Sequence, residues 1–281
     1  MAAPPNVVWR TFIPPRFFDN FSFAWKTNMN RDTSSRMASP PSLPTEVLQS
    51  AVDWALVSRR ATRAFLPTPV SRAEVEAILD VARYCASGVN TQPWHVHVLM
   101  GDAKQRLSEA VLRVYDDPPL AAQLDEPYDY YPREWVSPYI DRRRKVGWDL
   151  YGLLGIQKTD KERMHAQHGR NYRFFGAPVG LMFTVDRGMG RGSLIDYGMF
   201  LQSVMVAARA RGLDTCPQAA FTPFHRVISR ELAIPDQQMF VCGMSLGYAD
   251  PSRIENSLVT GREPVDGFTT FHDSLNTETR P

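Results

Sequence analysis

Three arginines stand close together in the segment SRRATRAF, positions 58–65, between the apolar stretches ALV and AFL. They are Arg59, Arg60 and Arg63, and a further arginine, Arg262, stands alone in VTGREPVD far down the chain. A guanidinium group is a planar fork of N–H donors that suits a phosphate or the edge of a polar ring. A solvated charge run is the alternative explanation. The pattern therefore makes these arginines candidates for binding an anion.

A second candidate group lies in SGVNTQPWHVHVLM, positions 87–100, where small and amide residues lead into an alternating strand pattern. Asn90 and Gln92 can each donate and accept hydrogen bonds, so they suit an uncharged ring edge that carries both N–H and C=O groups. Pro93 restricts φ, and packing of Trp94 would hold the two amides still. An ordinary turn would account for Asn90 and Pro93 alone.

Histidines and cysteines are weaker candidates. The histidine pairs at 95/97 and 165/168 have the spacing of one strand face and one helix turn. Neither pair stands in a recognised metal-binding pattern with cysteines or carboxylates, so surface or packing roles are favoured. Cys216 lies beside Pro217 and could act as a nucleophile, but no base is evident, which favours a structural role.

The glycines of VDRGMGRGS have the spacing GxGxG, after a strand pattern and before a helix pattern. A dinucleotide-binding turn needs a third glycine or alanine where Ser193 stands, and an acidic residue about 20 positions further on. Ser193 is not such a residue, and no βαβ unit with an acidic residue about 20 positions on completes the pattern. A flexible loop is the better interpretation of this segment.

Hydrophobic periodicity predicts the elements that would position these residues. Helices are expected over TEVLQSAVDWALVSRR, from Ser71 with a Ser71/Glu74 capping box, over KQRLSEAVLRVY, and over SLIDYGMFLQSVMVAARARG up to Gly212. Strands are expected over WHVHVLM, APVGLMFTV and QMFVCGMSLGYAD. Helices between well-separated strands indicate a layered fold of helices and sheet.

Composition narrows the class of protein. The chain has 281 residues with 43% hydrophobic and 22% charged residues, which is enough for a sizeable core. The net charge of +2 is too small to suggest a nucleic-acid partner. The three cysteines are far apart, no apolar run approaches the roughly 20 residues of a membrane span, and the N-terminus has no secretory signal. We therefore expect a cytoplasmic protein without a membrane or nucleic-acid partner.

Two segments differ from the rest. Residues 1–45 are rich in proline and aromatics without a sustained period, so they are either a flexible extension or an arm that docks on a second subunit. Residues 116–171 form an aromatic and basic insert in which two or three helices are expected. The main domain is predicted over 46–272, followed by a tail at 273–281.

The ordered motifs resemble the FMN-dependent nitroreductase family. In that family an arginine pair is followed, one helix later, by a small-residue turn ending in Asn-x-Gln-Pro-Trp, as in SRRATRAF…SGVNTQPW. The later segments ARGLDTCPQAAF, ELAIPDQQMFVCGMSLGYAD and TGREPVDGF occur in the family's order. The insert further resembles the branch that includes nitrobenzoate-type reductases. The resemblance covers about residues 46–272.

The resemblance implies an α+β fold in α/β/α layers, with a central mixed, mainly antiparallel sheet flanked by helices. It also implies an intertwined homodimer with FMN sites between the subunits. In such a site Arg59, Arg60 and Arg262 would hold the ribityl phosphate, and Arg63 would lie near the pyrimidine edge of the flavin. Ala61 stands where many members have serine, so a hydroxyl contact is lost and only the backbone can serve.

Other implied contacts come from residues 87–92, which we call the amide corner, and from ARGLDTCPQAAF, which resembles the family's flavin-facing loop. Ser87, Asn90 and Gln92 would contact the flavin from the partner subunit. The loop would pass over the flavin ring and present a backbone N–H to N5, with Ala219 and Ala220 nearest to that atom. The loop residues implied are Pro217, Gln218, Ala219 and Ala220.

Substrate choice is expected to lie in the insert, where aromatic side chains could form a stacking wall for flat, electron-poor rings. Packing of the insert against itself is the alternative explanation of these aromatics. The run at 142–145, RRRK, could attract the 2′-phosphate of NADPH, which favours NADPH over NADH, although a solvated helix face would explain it equally. The aromatics considered are Tyr130, Trp135, Tyr139, Trp148 and Tyr151, of which the last three are the predicted substrate contacts.

The implied activity is NAD(P)H-dependent reduction of nitroaromatic compounds by ping-pong hydride transfer through FMN. No side-chain general base is required, and no metal is expected. Two alternatives stay open at this point. One is a flavoenzyme of the same fold with other chemistry, such as quinone reduction or reductive dehalogenation, and the other is a non-catalytic flavin-binding protein.

Overall fold

A computed structural model of the chain describes residues 43–273. The chain divides into two units after Leu48, and the elements that position the candidate site belong to the second unit, from Gln49 onward. The predicted arm at 1–45 and the tail at 273–281 lie almost wholly outside the described residues, so their roles stay predictions.

The described residues contain α-helices, strands and short 3₁₀ turns. The helices are α1 (Thr45–Ser58), α2 (Arg72–Ala82), α3 (Gly101–Tyr115), α4 (Pro118–Ala121), α5 (Tyr139–Leu153), α6 (Lys161–Gly169), α7 (Gly192–Arg209) and α8 (His225–Glu231). The strands are β1 (His95–Met100), β2 (Val179–Asp186), β3 (Asp214–Gln218) and β4 (Gln238–Gly247). The 3₁₀ turns are Gly88–Asn90, Arg170–Gly176, Ala219–Phe224, Ile254–Ser257 and Val265–Gly267.

The strands form one sheet in the order β1-β2-β4-β3, and every neighbouring pair is antiparallel. The register places Val98 opposite Leu181 and Phe183 opposite Cys242. One isolated parallel bridge joins Ala61 to the edge strand β3. The predicted α+β fold with a mainly antiparallel sheet is therefore confirmed.

Both faces of the sheet are covered. Along β2, Leu181 and Phe183 belong to a core cluster with residues of α2 and α7, whereas the intervening Met182 belongs to a second cluster with residues of α3 and of the turn Arg170–Gly176. Successive strand residues point to opposite faces, so this division places helices on each side of the sheet. The layered arrangement follows from burial on both faces, and β2 accordingly reads as a continuous apolar run.

Two predicted helix signals act as expected. Ser71 accepts a hydrogen bond from the backbone N–H of Glu74 at 3.2 Å, and Glu74 accepts one from the N–H of Ser71 at 2.7 Å, which completes the capping box of α2. Gly212 has a φ of 76° just beyond α7, a left-handed conformation that lets the chain turn back. The glycines of VDRGMGRGS lie in the connection between β2 and α7, as a loop, with Gly192 opening the helix.

The segment ARGLDTCPQAAF departs from the expectation of a loop. Its second half forms β3 and the 3₁₀ turn Ala219–Phe224. The strand escaped notice because it is short, carries Pro217 and has no apolar alternation. An edge strand tolerates proline because one side of its ladder needs no N–H donor. Strand β3 lies at the sheet edge, which agrees with that rule.

Candidate functional site

A cleft of about 260 Å³ lies where the arginine segment, β3 and the insert meet. We call its two sides the core wall and the insert wall. Phe175, from the turn Arg170–Gly176, also lines it. The core wall consists of Ala61, Arg63, Cys216, Pro217, Gln218, Ala219 and Ala220, and the insert wall of Tyr131, Leu150, Tyr151, Gln167, His168 and Asn171.

The arginine segment of the core wall is held by its backbone. The N–H of Thr62 donates to the carbonyl of Thr215 at 3.0 Å, and that of Phe65 donates to the carbonyl of Phe175 at 3.2 Å. The N–H of Leu66 donates to Tyr248 at 2.8 Å. These bonds fix the backbone path of the segment against β3, against the turn Arg170–Gly176 and against the residue that follows β4.

The arginines gather positive charge without a matching carboxylate. Within residues 43–273, no ion pair involves Arg59, Arg63 or Arg262. Burial lowers the pKa of Arg59, and the nearby charge of Arg262 lowers it further. Burial raises the pKa of the Cys216 thiol to about 11, although Arg63 and Arg59 act in the opposite direction. These residues are thus neighbours, and uncompensated guanidinium groups in such a place suit a bound anion.

Arg60 and Arg262 differ from their neighbours in setting. Arg60 is exposed and does not line the cleft. Arg262 donates from one nitrogen to its own loop, to the carbonyl of Thr260 at 3.1 Å and to the hydroxyl of Thr260 at 2.6 Å. These bonds bend the side chain back over the loop.

Gln218 uses its side chain inside the protein. It is 2% exposed, its Nε2 donates to the carbonyl of Asn171 at 2.7 Å, and its Oε1 accepts from the hydroxyl of Ser245 at 2.7 Å. The amide thus ties the core wall to the insert wall. Ala219 and Ala220 follow in a 3₁₀ turn, whose first N–H groups have no partner within the turn and can face a ligand.

The amide corner is exposed on this chain. Gln92 donates from its backbone to the hydroxyl of Ser87 at 3.0 Å and from its side chain to the carbonyl of Asn90 at 3.3 Å. Val89, Asn90 and Gln92 have φ values of 44°, 61° and 48°, and such left-handed backbone is strained, most of all at a β-branched residue. Trp94 stacks on Phe200 with ring centroids 4.6 Å apart.

The structure does not bring all predicted residues to one place. Ala61, Arg63 and residues 217–220 line the cleft, with Arg59 and Arg262 beside them. Ser87, Asn90 and Gln92 do not line the cleft of their own chain. They were expected to reach the flavin of a partner subunit, and that role stays a prediction.

The insert wall contains one of the predicted substrate contacts. Tyr151 lines the cleft, whereas Tyr139 and Trp148 do not. Trp148 contacts Tyr151 edge-on at 5.9 Å, and Tyr139 is 59% exposed. Sequence reasoning missed Tyr131, and the dense aromatic run YDYYPREW was the signal that could have found it.

His168 was also missed, since the sequence favoured a surface or packing histidine. It lines the cleft, and its Nε2 lies 3.2 Å from the hydroxyl of Tyr172. Burial lowers the pKa of His168, and the charge of His165 lowers it further. A neutral imidazole therefore faces the cleft near neutral pH.

The basic run of α5 is largely occupied. Arg142 pairs with Glu263, and Lys145 pairs with Asp149 at 2.8 Å. Arg143 lies over the rings of Tyr131 and Trp135, at 5.6 and 4.7 Å from their centroids. Arg144 is exposed. In the part of the chain that the structure describes, no helix is long and apolar enough to cross a membrane, and no cluster of His, Cys, Asp or Glu could hold a metal ion.

Comparison with known proteins gives consistent matches. The model of the Nitroreductase family matches residues 56–248. The chain is 45% identical to 4-nitrobenzoate reductase of Pseudomonas putida over 225 residues, covering 80% of this chain and 97% of the relative. It is 42% identical to nitrobenzene nitroreductase of Ectopseudomonas oleovorans over 220 residues, covering 78% and 96%.

A solved structure is similar throughout the domain. The FMN-dependent nitroreductase NfnB from Mycobacterium smegmatis, in complex with NADPH, superposes with a TM-score of 0.75 at 29% identity. The match covers 80% of this chain and 99% of that one.

Proposed function

The chain belongs to the nitroreductase family, and we propose that it is an FMN-dependent oxidoreductase that uses NAD(P)H to reduce nitroaromatic compounds. The observation that carries the proposal is the group of arginines without carboxylate partners beside the cleft. A phosphorylated flavin supplies the anion that such a group needs, together with a ring that the cleft can hold.

The residues present fit FMN. Arg59 and Arg262, whose charges act on each other, would bind its phosphate, with Arg60 adding charge from the surface. Arg63 would lie at the pyrimidine edge, beside the backbone of Ala61. The backbone N–H groups of Ala219 and Ala220, which have no partner within their 3₁₀ turn, would face N5. Bound FMN would supply the hydride chemistry, with NAD(P)H and then the nitroarene occupying the same cleft in ping-pong order.

The protein's own part is to orient rings and balance charge. Arg63 would stabilise the negative charge that reduction places on the pyrimidine edge. Tyr151 and Tyr131 would stack on the nitroarene ring. His168, held neutral, can donate or accept one hydrogen bond at the insert wall. Water can supply protons, so no side-chain acid is needed.

We further propose a homodimer in which each amide corner completes the partner's site. Asn90 and Gln92 stand exposed on this chain, Ser87 is half-buried, and the tip residue Val89 is 98% exposed. Large exposed apolar patches mark interaction surfaces. Apolar side chains are also exposed outside the amide corner, namely Val57, Ile195, Val259, Phe268 and Phe271.

NADPH is the proposed donor. The relative NfnB was solved with NADPH, and Arg144 is a basic side chain of α5 exposed to solvent. The ratio of kcat/KM for NADPH and NADH tests this preference, and a clear preference for NADH would contradict it. A cytoplasmic location stays a prediction, which the need for a pyridine nucleotide supports.

Purified protein tests the main proposal. It should be yellow and release FMN on denaturation. NADPH should bleach the flavin, and 4-nitrobenzoate should restore the colour with formation of the arylhydroxylamine. A colourless protein that takes up no added FMN would contradict the cofactor, and bleaching without turnover of any nitroarene would contradict the substrate class.

A further inference from the structure

One carboxylate is buried beneath the arginine segment. Among the residues that the structure describes, Glu255 is the only charged residue that is buried, at 1% exposure. Its carboxylate accepts from Arg170 at 2.5 Å and from Arg253 at 2.9 Å. It belongs to the 3₁₀ turn Ile254–Ser257, which precedes the loop of Arg262.

Stability alone is a poor explanation of this ion pair. Taking two charges out of water offsets most of their attraction, and apolar residues of similar volume often stabilise a protein as well or better. Burial raises the pKa of Glu255, but its hydrogen bonds from Arg170 and Arg253 outweigh this and keep the pKa below the ordinary value. The group is therefore a permanent buried charge, and the contacts of its partner Arg170 indicate what it does.

Arg170 connects Glu255 to the backbone of the arginine segment. While Nη1 of Arg170 binds Glu255, its Nη2 donates to the backbone carbonyl of Arg63 at 3.0 Å. The carboxylate fixes the guanidinium, and the guanidinium in turn fixes one polar group of the Arg63 backbone.

Asn256, the next residue of the turn, binds the backbone N–H of Arg63. Oδ1 of Asn256 accepts from the N–H of Arg63 at 2.8 Å and from that of Ala64 at 3.2 Å. Its Nδ2 donates to the carbonyl of Ala64 at 2.8 Å and to that of Asp250 at 2.9 Å. The N–H of Arg63 is thus bound by Asn256 directly, and its carbonyl is bound by Arg170, which Glu255 of the same turn holds in place.

We propose that Glu255 and Asn256 are positioning residues that fix the backbone of Arg63 and so set its guanidinium at the pyrimidine edge of FMN. The inference rests on the proposed function, because the role of Arg63 toward FMN is itself proposed. Its consequence is that residues without any cleft contact control the affinity and the reduction potential of the flavin.

The test uses Glu255→Gln and Asn256→Leu in the full-length protein, with Thr184→Val as the matched control. Thr184 is also fully buried and hydrogen-bonded, to Gln238, but lines no part of the cleft. Each variant is compared with the wild type by its FMN dissociation constant and by the midpoint potential of the flavin at saturating FMN. The second measurement separates positioning from general loosening, because saturation removes the effect of weaker binding.

We expect the FMN dissociation constant to rise about tenfold in both test variants, as for groups that orient metal ligands. The midpoint potential should become more negative, because Arg63 no longer faces the charge of the reduced ring. Thr184→Val should match the wild type in both. An unchanged potential in folded Glu255→Gln and Asn256→Leu overturns the inference.

A double variant distinguishes a loss of positioning from a loss of stability. Arg170→Met/Glu255→Leu replaces the two more deeply placed charges by apolar residues, which commonly keeps stability, and leaves Arg253, whose side chain is 49% exposed, to solvent. It should retain the melting temperature of the apoprotein yet show the same shifts in affinity and potential. Wild-type affinity and potential in this variant would also overturn the inference. Wild-type protein that binds no FMN at all would instead contradict the proposed function.

Discussion

The core wall and the insert wall of the cleft are built in different ways. Strand β4, which backs the core wall through β3, is buried at eight of its ten positions. Helix α5, which carries Leu150 and Tyr151 of the insert wall, has no buried residue. The insert is tied to the core by single contacts, such as the hydroxyl of Tyr128 on the carbonyl of Val241 at 2.6 Å.

This difference separates two tasks. The core wall takes its geometry from the sheet and from paired backbone, which suits a cofactor that must stay in one place. The insert wall can change its side chains and its path without disturbing the core, which suits the choice of substrate. If the two tasks are separate, substitutions in the core wall should change binding of FMN, and substitutions in the insert wall should change selection of substrate.

The largest effect is expected in the core wall. Arg59→Ala would remove the proposed charge-assisted contact to the phosphate. Such a contact is worth about 1.5–3 kcal/mol, so the FMN dissociation constant should rise roughly 10- to 100-fold. Fluorescence titration of apoprotein with FMN measures this. The matched control is Arg226→Ala, whose partner is the exposed Asp125. Equal affinity in Arg59→Ala and the control would remove Arg59 from the phosphate site.

The insert wall should affect substrate instead. Tyr151→Ala removes a stacking surface worth about 0.5–1.5 kcal/mol, so KM for a nitroarene should rise by about two- to tenfold. The FMN dissociation constant should stay at the wild-type value. Tyr139→Ala is the control, since Tyr139 does not line the cleft of its own chain. Loss of FMN from Tyr151→Ala would show that the two walls do not act separately.

A smaller effect is expected for the exposed arginine of α5. Arg144→Ala should lower kcat/KM for NADPH by about two- to fourfold, in line with the 0.2–1 kcal/mol of exposed charge pairs, and leave NADH unaffected. Added salt should abolish the difference because exposed charges are screened. Lys145→Ala is the control, as Lys145 already pairs with Asp149. Equal losses with both nucleotides would argue against contact with the 2′-phosphate.

The smallest effect concerns acid sensitivity at the insert wall. The pKa of His168 is lowered in the folded protein, so the unfolded chain takes up the proton first as pH falls below its ordinary value of about 6.5. Stability present above that pH is therefore lost below it, by a few tenths of a kcal/mol given the solvent access of this side chain. Urea unfolding of wild type and His168→Gln at pH 7.5 and 5.5 measures it. An identical pH dependence in the two proteins would contradict the prediction.

More residues of the core wall than of the insert wall were predicted from the sequence. The arginine segment was recognised by its clustered charges, and residues 217–220 were predicted from the resemblance to the family. The inward turn of the Gln218 amide was not predictable, since it depends on the register of β3. Tyr131 and His168 were missed because the insert has no sustained period that tells which side faces the cleft.

Glu255 had no signal in the sequence at all. The stretch RIENS reads as an exposed polar turn, and only the fold buries the carboxylate between two arginines. Burial of a charge is a property of long-range packing, and its two guanidinium partners lie at very different distances along the chain.

Pro217 has a consequence beyond the cleft. A sheet margin with free N–H and C=O groups is a template for unwanted pairing between molecules, and proline is one of the residues that interrupts it. Pro217 is the fourth of the five residues of the marginal strand β3, and the parallel bridge from Ala61 covers the position two residues before it. Both features reduce the capacity of this margin to pair with a second molecule, and neither depends on bound FMN.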